Sequence, residues 1–380
     1  MGILGSSISI TRYKVAGDLP LFGTEQFLEN VQETLVKFGF QSIMEYAVES
    51  SVGWVQMNNQ ENAVFDNPGF LWIGDYLTFS LRRDVRVIPT LILNSEIKKE
   101  CDKYLEDHPN LRRVPKSVFA DKKEAVKAAL LSRQLPDSQV WDVAWDTRNE
   151  MIYLFNTSGK AMETFESMFK KTFPAFSLRY LTPWQQAQTA AEHSNVLYDL
   201  NAANLANSLA VLDLIKSNAW LGRDFLLWLL SGCGKASNEG LAAWVDSRID
   251  MAGISREGGI EKITVTGSQD DNHMATVKSA LREGHHVTKE TLYFETNESE
   301  AWNLTITGDT FAINQMKTPN VHVEVCDDAT AEYQSAFLEK MHLINKGLDH
   351  LQSLLAEFIK LRVTYLWDDT KRSITDWMKE

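Results

Sequence analysis

The chain contains no run of about 20 apolar residues, the length a helix needs to cross a bilayer. Its richest stretch, Ala219 to Leu230, is interrupted by Arg223 and Asp224, so a buried amphipathic helix is expected there. No basic segment leads into an apolar run at the N-terminus, so a cleaved secretion signal is not expected, and the reading places the protein in the cytoplasm. Cysteine is scarce. Cys101, Cys233 and Cys326 are odd in number and far apart, which excludes a disulfide framework and suits a reducing compartment. They form no zinc set either, because His285 and His286 are adjacent and on a strand would point to opposite faces. Basic residues are also in deficit, 38 Lys and Arg against 51 Asp and Glu, for a net charge of −13. Such a balance argues against a protein that binds nucleic acid over its whole surface, because phosphate binding depends on cations that displace counterions.

The distribution of charge says more than its total. Between Arg82 and Leu135 thirteen basic residues face eight acidic ones, a local +5 that leaves −18 for the rest of the chain. A localised contact with a polyanion on an otherwise acidic body fits this asymmetry, and so does a solvated helical hairpin.

Along the chain, Ser7 to Val15 alternates as a strand, and Thr24 to Gly39 carries Phe27, Leu28, Val31, Leu35 and Phe38 at helical spacing. Strands are expected at Val52 to Met57 and, as one element, at Phe70 to Leu81, the latter preceded by the turn Asn67-Pro68-Gly69. After Pro89 the pattern turns helical and charged. Pro109 and Pro115 divide it into a hairpin, with Asp121 and Glu124 as a candidate capping box for the second helix and Pro136 beyond its end. Strands resume at Val140 to Asp146 and Met151 to Phe155 around the turn Thr147 to Glu150, and a helix runs from Ser158 to about Phe173. Both strand regions are expected to share one sheet, with the basic hairpin inserted between them. From Pro183 to about Ala210 the chain reads as a connector with helical tendency. A helix around Arg223 to Leu230 then leads to short strands at Glu261 to Val265, Glu290 to Glu295, Trp302 to Thr307 and Phe311 to Gln315. From Ala331 a long amphipathic helix is expected, with Phe337, Met341, Ile344, Leu348, Leu351, Leu355 and Phe358 on its apolar stripe.

The enzymatic motifs are weak. Ser231-Gly232-Cys233-Gly234-Lys235 ends like a phosphate-binding loop, but Leu229 stands where the first glycine is needed and Ala236 where Ser or Thr is, so a helix-ending glycine turn is the better reading. Cys233 is conceivable as a nucleophile, and an ordinary buried thiol explains it as well. Asp142 and Asp146, joined by Glu150 from the turn, are the candidate Mg²⁺ ligands of a nuclease. Trp141 and Trp145 alternate with them, which a half-buried strand without metal also produces.

The order of several local sequences resembles the RdgC family of recombination-associated proteins. These are Ile10-Thr11-Arg12-Tyr13-Lys14-Val15, Gly53-Trp54-Val55, Phe79 to Asp84 with Val87-Ile88-Pro89, Leu135-Pro136, Trp145-Asp146, Gly222 to Trp228, and Ala280 to Gly284 before Val287-Thr288-Lys289. The resemblance implies an α+β fold: a central antiparallel sheet domain (residues 1–89 and 137–182), an inserted helical tip (90–136) and a C-terminal α+β base (183–380) that carries the long helix. It also implies a ring-forming homodimer that holds double-stranded DNA without sequence preference, is associated with the nucleoid, and limits the access of the RecA recombinase to DNA. No enzymatic activity and no cofactor are implied. Arg82, Arg83, Arg86, Lys98, Lys99, Arg112, Arg113, Lys116, Lys122, Lys123 and Lys127 are the expected phosphate contacts. The family's basic residue after Leu-Pro is replaced by Asp137-Ser138, and its basic pair at the base falls on Thr266 to Gln269, where only a polar glutamine remains. The alternatives are the nuclease built on Asp142, Asp146 and Glu150, and a relative without DNA binding that serves as a protein-interaction scaffold.

Overall fold

The computed structural model describes residues 2–17, 25–232, 241–254, 259–267, 271–297, 299–321 and 328–380. Thr24, Cys233, Cys326, Gly234-Lys235 and Gln269 lie outside the described residues.

The chain opens with β1 (Ile8–Gly17), α1 (Glu25–Lys37), β2 (Ser50–Val55), β3 (Trp72–Ile73) and β4 (Tyr76–Val85). The segment Phe70 to Leu81, expected as one strand, is a short 3-10 turn followed by a tight hairpin. Gly74, at φ +59°, supplies the left-handed residue that lets β3 fold back on β4, where Trp72 pairs with Leu77. Next come α2 (Thr90–Asp107) and α3 (Lys116–Arg133), then β5 (Asp137–Asp146), β6 (Met151–Leu154), α4 (Gly159–Thr172) and β7 (Phe176–Tyr180). The capping box expected at Asp121 and Glu124 is not there: α3 begins at Lys116 behind Pro115, and both acids lie inside it. Proline at the cap had already set the start, since its ring fixes φ and its missing N–H is not needed in the first turn.

The stretch expected as a connector contains α5 (Pro183–His193) and α6 (Leu197–Ala202), the first opened by a capping box in which Thr182 and Gln185 bond reciprocally. After α7 (Val211–Ser217) and α8 (Trp220–Leu230), the second strand region runs β8 (Leu241–Ile254), β9 (Ile260–Thr266), α9 (Asp271–Arg282), β10 (His286–Thr296), β11 (Ala301–Thr307) and β12 (Ile313–Lys317). The helices α10 (Ala329–Arg362) and α11 (Trp367–Lys379) close the chain.

The strands are hydrogen-bonded in the order β2-β4-β5-β6-β1-β12-β11-β10-β8-β9, and the pairs that form it are antiparallel. β1 is the hinge of this arrangement. Its first residues pair with β12 and its later ones with β6 and β7. Because side chains alternate along a strand, Ile8 and Ile10 face one core and Tyr13 and Val15 the other.

The smaller core lies between one face of the first sheet (Leu77, Phe79, Leu81, Trp141, Val143, Trp145) and helices α1 and α4. Trp54 is fully buried in it and donates its indole N–H to Thr172 Oγ1 at 2.8 Å. On the opposite face Thr78, Ser80, Arg82, Asp84, Asp142 and Asp146 are polar and yet buried. α10 crosses part of this face: Gln334 donates to Gly69 O at 2.7 Å, Tyr153 donates to Asn345 Oδ1 and Asn345 to Tyr76 OH, both at 3.0 Å, while Glu61 and Phe40 lie against Arg82. The same helix seals the larger core, where Trp302 donates to Leu343 O at 2.8 Å. Every apolar residue predicted for its stripe is buried there. None of the helices, among the described residues, is long and apolar enough to cross a membrane.

Candidate nucleic-acid interface

The helical hairpin grows from between two neighbouring strands. Val85 at the end of β4 pairs directly with Asp137 at the start of β5, so α2 and α3 replace what would otherwise be a turn. Gln134 donates to Val87 O at 2.7 Å and ties the two ends together. Pro89 and Pro115 precede the first residues of the helices, and each helix has 18 residues. At 1.5 Å per residue the connecting loop therefore stands about 27 Å from the sheet. Little apolar surface holds the hairpin: Ile97, Val126 and Leu131 are its buried residues. Polar contacts do part of the work, with Lys122 bonded to Glu100 at 3.4 Å and lying over the Tyr104 ring at 5.5 Å. Lys127 reaches Glu49 at 2.7 Å and pins α3 to the body.

Apart from Arg83, the predicted phosphate contacts divide into three groups. Arg82 and Arg86 are the least accessible of the expected set. Arg82 is 8% exposed, bonds Asp84 with two nitrogens at 3.0 Å, pairs with Glu61 and lies 4.4 Å from the Phe40 ring centroid. Arg86 is 4% exposed and donates to the carbonyls of Tyr46 and Met44. Both guanidiniums are occupied in holding the strand end and the loop beside it, and a phosphate could reach them only by breaking those bonds. Strand periodicity contained the signal, because Arg82 and Asp84 are two apart and therefore share a face. Arg83, on the other face, is half-buried.

Lys99, Lys122 and Lys127 form a second group, each already paired with a carboxylate (Glu96, Glu100 and Glu49). Surface pairs of this kind are weak enough to exchange for a phosphate. The third group is Lys98, Arg112, Arg113, Lys116 and Lys123, all exposed and without an ion-pair partner among the described residues. Lys103 and Arg133, not among the expected contacts, are exposed in the same way. Arg112, Arg113 and Lys116 occupy the loop and the first residue of α3, and no acidic residue lies between His108 and Ala120. Positive charge is thus concentrated at the free end of the hairpin, while α2 interleaves its lysines with Glu96, Asp102, Glu106 and Asp107. Leu111 and Phe119, 39% and 44% exposed, flank the cationic end.

The candidate metal ligands do not converge. Asp142 and Asp146 share a face of β5 but stand four residues apart, about 13 Å along a strand, too far to share an ion. Asp142 accepts from Ile3 N at 2.8 Å and Ser80 Oγ at 2.7 Å, and burial raises its pKa. Asp146 caps the following turn, accepting from the backbone N–H groups of Arg148 and Asn149 and from the Asn149 side chain. Among the described residues no group of three His, Cys, Asp or Glu could hold a metal ion.

Residues 10–192 match a protein-family model described as "Putative exonuclease, RdgC". The match includes nearly all of β1, the whole hairpin and the chain up to the last turn of α5. The search of curated proteins found no match.

Proposed function

We propose, from the premise that residues 10–192 place this chain in the RdgC family, that the protein binds double-stranded DNA without reading its sequence, through the exposed cations of its helical hairpin. The observation that carries this reading is the cluster of Arg112, Arg113 and Lys116 at the hairpin's free end, unopposed by carboxylates, on a chain of net charge −13. The exposed cationic end contacts the phosphate backbone, which carries no base information, and the exposed lysines of α2 and α3 extend the contact along the duplex. The acidic body repels DNA elsewhere and restricts binding to this arm. As a homodimer the protein encloses the duplex between two such arms. It then acts on the bacterial nucleoid in the cytoplasm by limiting the access of a RecA-type recombinase, with no cofactor and no chemical step of its own.

The test is fluorescence anisotropy with two unrelated duplexes across a salt series, run with the wild type and with R112Q/R113Q/K116Q. Equal affinities for the two sequences are expected. The triple variant should bind more weakly, and its log–log salt slope should be lower by about 3, near 0.9 per lost phosphate contact. A strong sequence preference, or a triple variant with unchanged slope, overturns the assignment; a dimer without affinity for any duplex points to a protein-interaction scaffold. The family description supports a second reading, a nuclease, whose candidate residues are Asp142, Asp146 and Glu150, although Asp142 and Asp146 stand too far apart along β5 to share an ion. Incubating linear and circular duplex with protein and Mg²⁺ or Mn²⁺ separates the two readings, because degradation of the linear duplex that is lost in D146A would make the protein an enzyme.

A further inference from the structure

A cleft of about 670 Å³ opens at the far end of the strand order from β2 and β4, between the outer face of β8, β9 and β10 and the first turn of α8. Its volume lies within the roughly 300–1,000 Å³ usual for small-molecule sites. The floor is small: Ala252, with Lys262 opposite it on β9 and His286 opposite it on β10. One row along, Lys289 stands opposite Asp250. Arg223 supplies the facing wall from α8. It is brought there by the contact of Gly222 with Gly308, so close that a Cβ on Gly222 would lie 2.0 Å from the Gly308 carbonyl oxygen.

The position of Lys289 depends on a bulge. In a regular strand His286, Thr288 and Glu290 would share one face, and Lys289 would point into the core with Val287. Instead the β8–β10 register shifts between Val287 and Lys289, and Thr288 is the extra residue, its hydroxyl donating to Asp250 O at 3.0 Å. Val287 and Glu290 therefore face inward opposite Met251 and Ile249, whereas His286 and Lys289 both face the cleft. The same bulge drives Glu290 into the core, where it is 0% exposed and neither carboxylate oxygen has a hydrogen bond among the described residues. An unpaired buried carboxyl costs stability, and here that cost accompanies the presentation of a lysine to the cleft.

The charge of the cleft is uneven. Arg223, Lys262 and Lys289 have no ion-pair partner among the described residues. Of the two lining carboxylates, Asp250 is neutralised by Arg248 at 3.0 and 3.1 Å, which leaves Asp309 beside His286 and Arg223. At the mouth Ile254 and Ile260 face each other across β8 and β9, 82% and 80% exposed. Three cations around a small floor, next to an exposed apolar pair, match a ligand with a compact anion at one end and a flat ring at the other.

We propose that this cleft binds a nucleotide, its phosphomonoester seated among Arg223, Lys262 and Lys289 and its base laid on Ile254 and Ile260. The site is separate from the hairpin and stands independently of the duplex reading. Isothermal titration of the full-length protein at low salt, with AMP, inorganic phosphate and adenosine as probes, tests it. Saturable binding of AMP is expected, weaker binding of phosphate, and none of adenosine. R223Q/K289Q changes exposed side chains, and its folding is checked by thermal melting; it should weaken AMP at least tenfold. I260S should weaken AMP and leave phosphate unchanged. The R112Q/R113Q/K116Q variant should bind AMP like the wild type, whatever becomes of its duplex binding. A 5′-phosphorylated trinucleotide distinguishes the source: if it binds like AMP the cleft takes strand ends, and if it does not the cleft takes free nucleotides. AMP bound no better than adenosine, or AMP affinity unchanged in R223Q/K289Q, overturns the proposal.

Discussion

Arg82 and Glu290 are charged residues whose roles the fold reverses. Arg82 belongs to a basic run in the sequence, yet its guanidinium is committed to Asp84, which is fully buried. Removing one partner of such a pair leaves the other charge uncompensated, so R82A should lower stability by about 3–5 kcal/mol in urea unfolding. If R82A instead retains its stability and loses duplex affinity, Arg82 is a phosphate contact after all. Glu290 has the opposite problem, a carboxyl without a partner whose pKa burial raises well above the usual value. A folded pKa above the unfolded one means that the folded state holds the proton more tightly. The associated stability is therefore complete below the unfolded pKa and is lost as pH rises through the folded one. E290Q cannot ionise and should remove this decline, so that thermal melts of the variant fall less between pH 4.5 and neutrality than those of the wild type. Parallel pH profiles for the two would show that Glu290 ionises as readily in the folded chain as in the unfolded one, which a dry core forbids.

The helical hairpin is an addition to a sheet that is complete without it. β4 and β5 pair from Tyr76 opposite Asp146 to Val85 opposite Asp137, and the hairpin leaves the sheet at one end of that ladder. Replacing Thr90 to Gln134 with a short turn should consequently leave a folded protein with a near-native melting temperature and no duplex affinity. An unfolded product would show that the contacts of Lys127 with Glu49 and of Gln134 with Val87 are structurally required. The hairpin was legible in the sequence because prolines and charge mark its limits, and α10 was legible because its apolar stripe has an uninterrupted helical period. The β3–β4 hairpin was less so: aromatic strand formers run across Gly74, and only the positive φ there divides the element. β8, at 14 residues the longest strand among the described residues, was missed although Asp246, Arg248 and Asp250 alternate with the buried Val245, Ile249 and Met251 as a half-buried strand requires.

At the scale of the molecule, β1 and α10 bind the two halves into one. β1 contributes Ile8 and Ile10 to the larger core and Tyr13 and Val15 to the smaller, and α10 bonds to residues of both strand regions. Calorimetry should therefore show a single transition, and a fragment spanning 183–380, which lacks β1, should melt well below the whole chain or fail to fold. Two separable transitions would mean that the cores are independent. The shared order of local sequences pointed to the RdgC family, and the match over residues 10–192 agrees.

What the amino-acid sequence determined by itself was whatever depends on neighbours in the chain: the prolines that bound the hairpin, the periodicity of α10, the alternation of β5, and the concentration of cations between Arg82 and Leu135. What only the tertiary structure decided was which charges face water. Arg82 and Arg113 are both arginines in a basic region, yet one is enclosed by Asp84, Glu61 and Phe40 and the other stands free at the end of an arm. The nucleotide cleft is assembled from α8, β8, β9 and β10, and it takes its shape from one extra residue in one strand, a register that side-chain identity alone does not reveal. The physical reason is common to both cases: whether a charge is available depends on the water and counter-charges around it, and distant parts of the chain supply them.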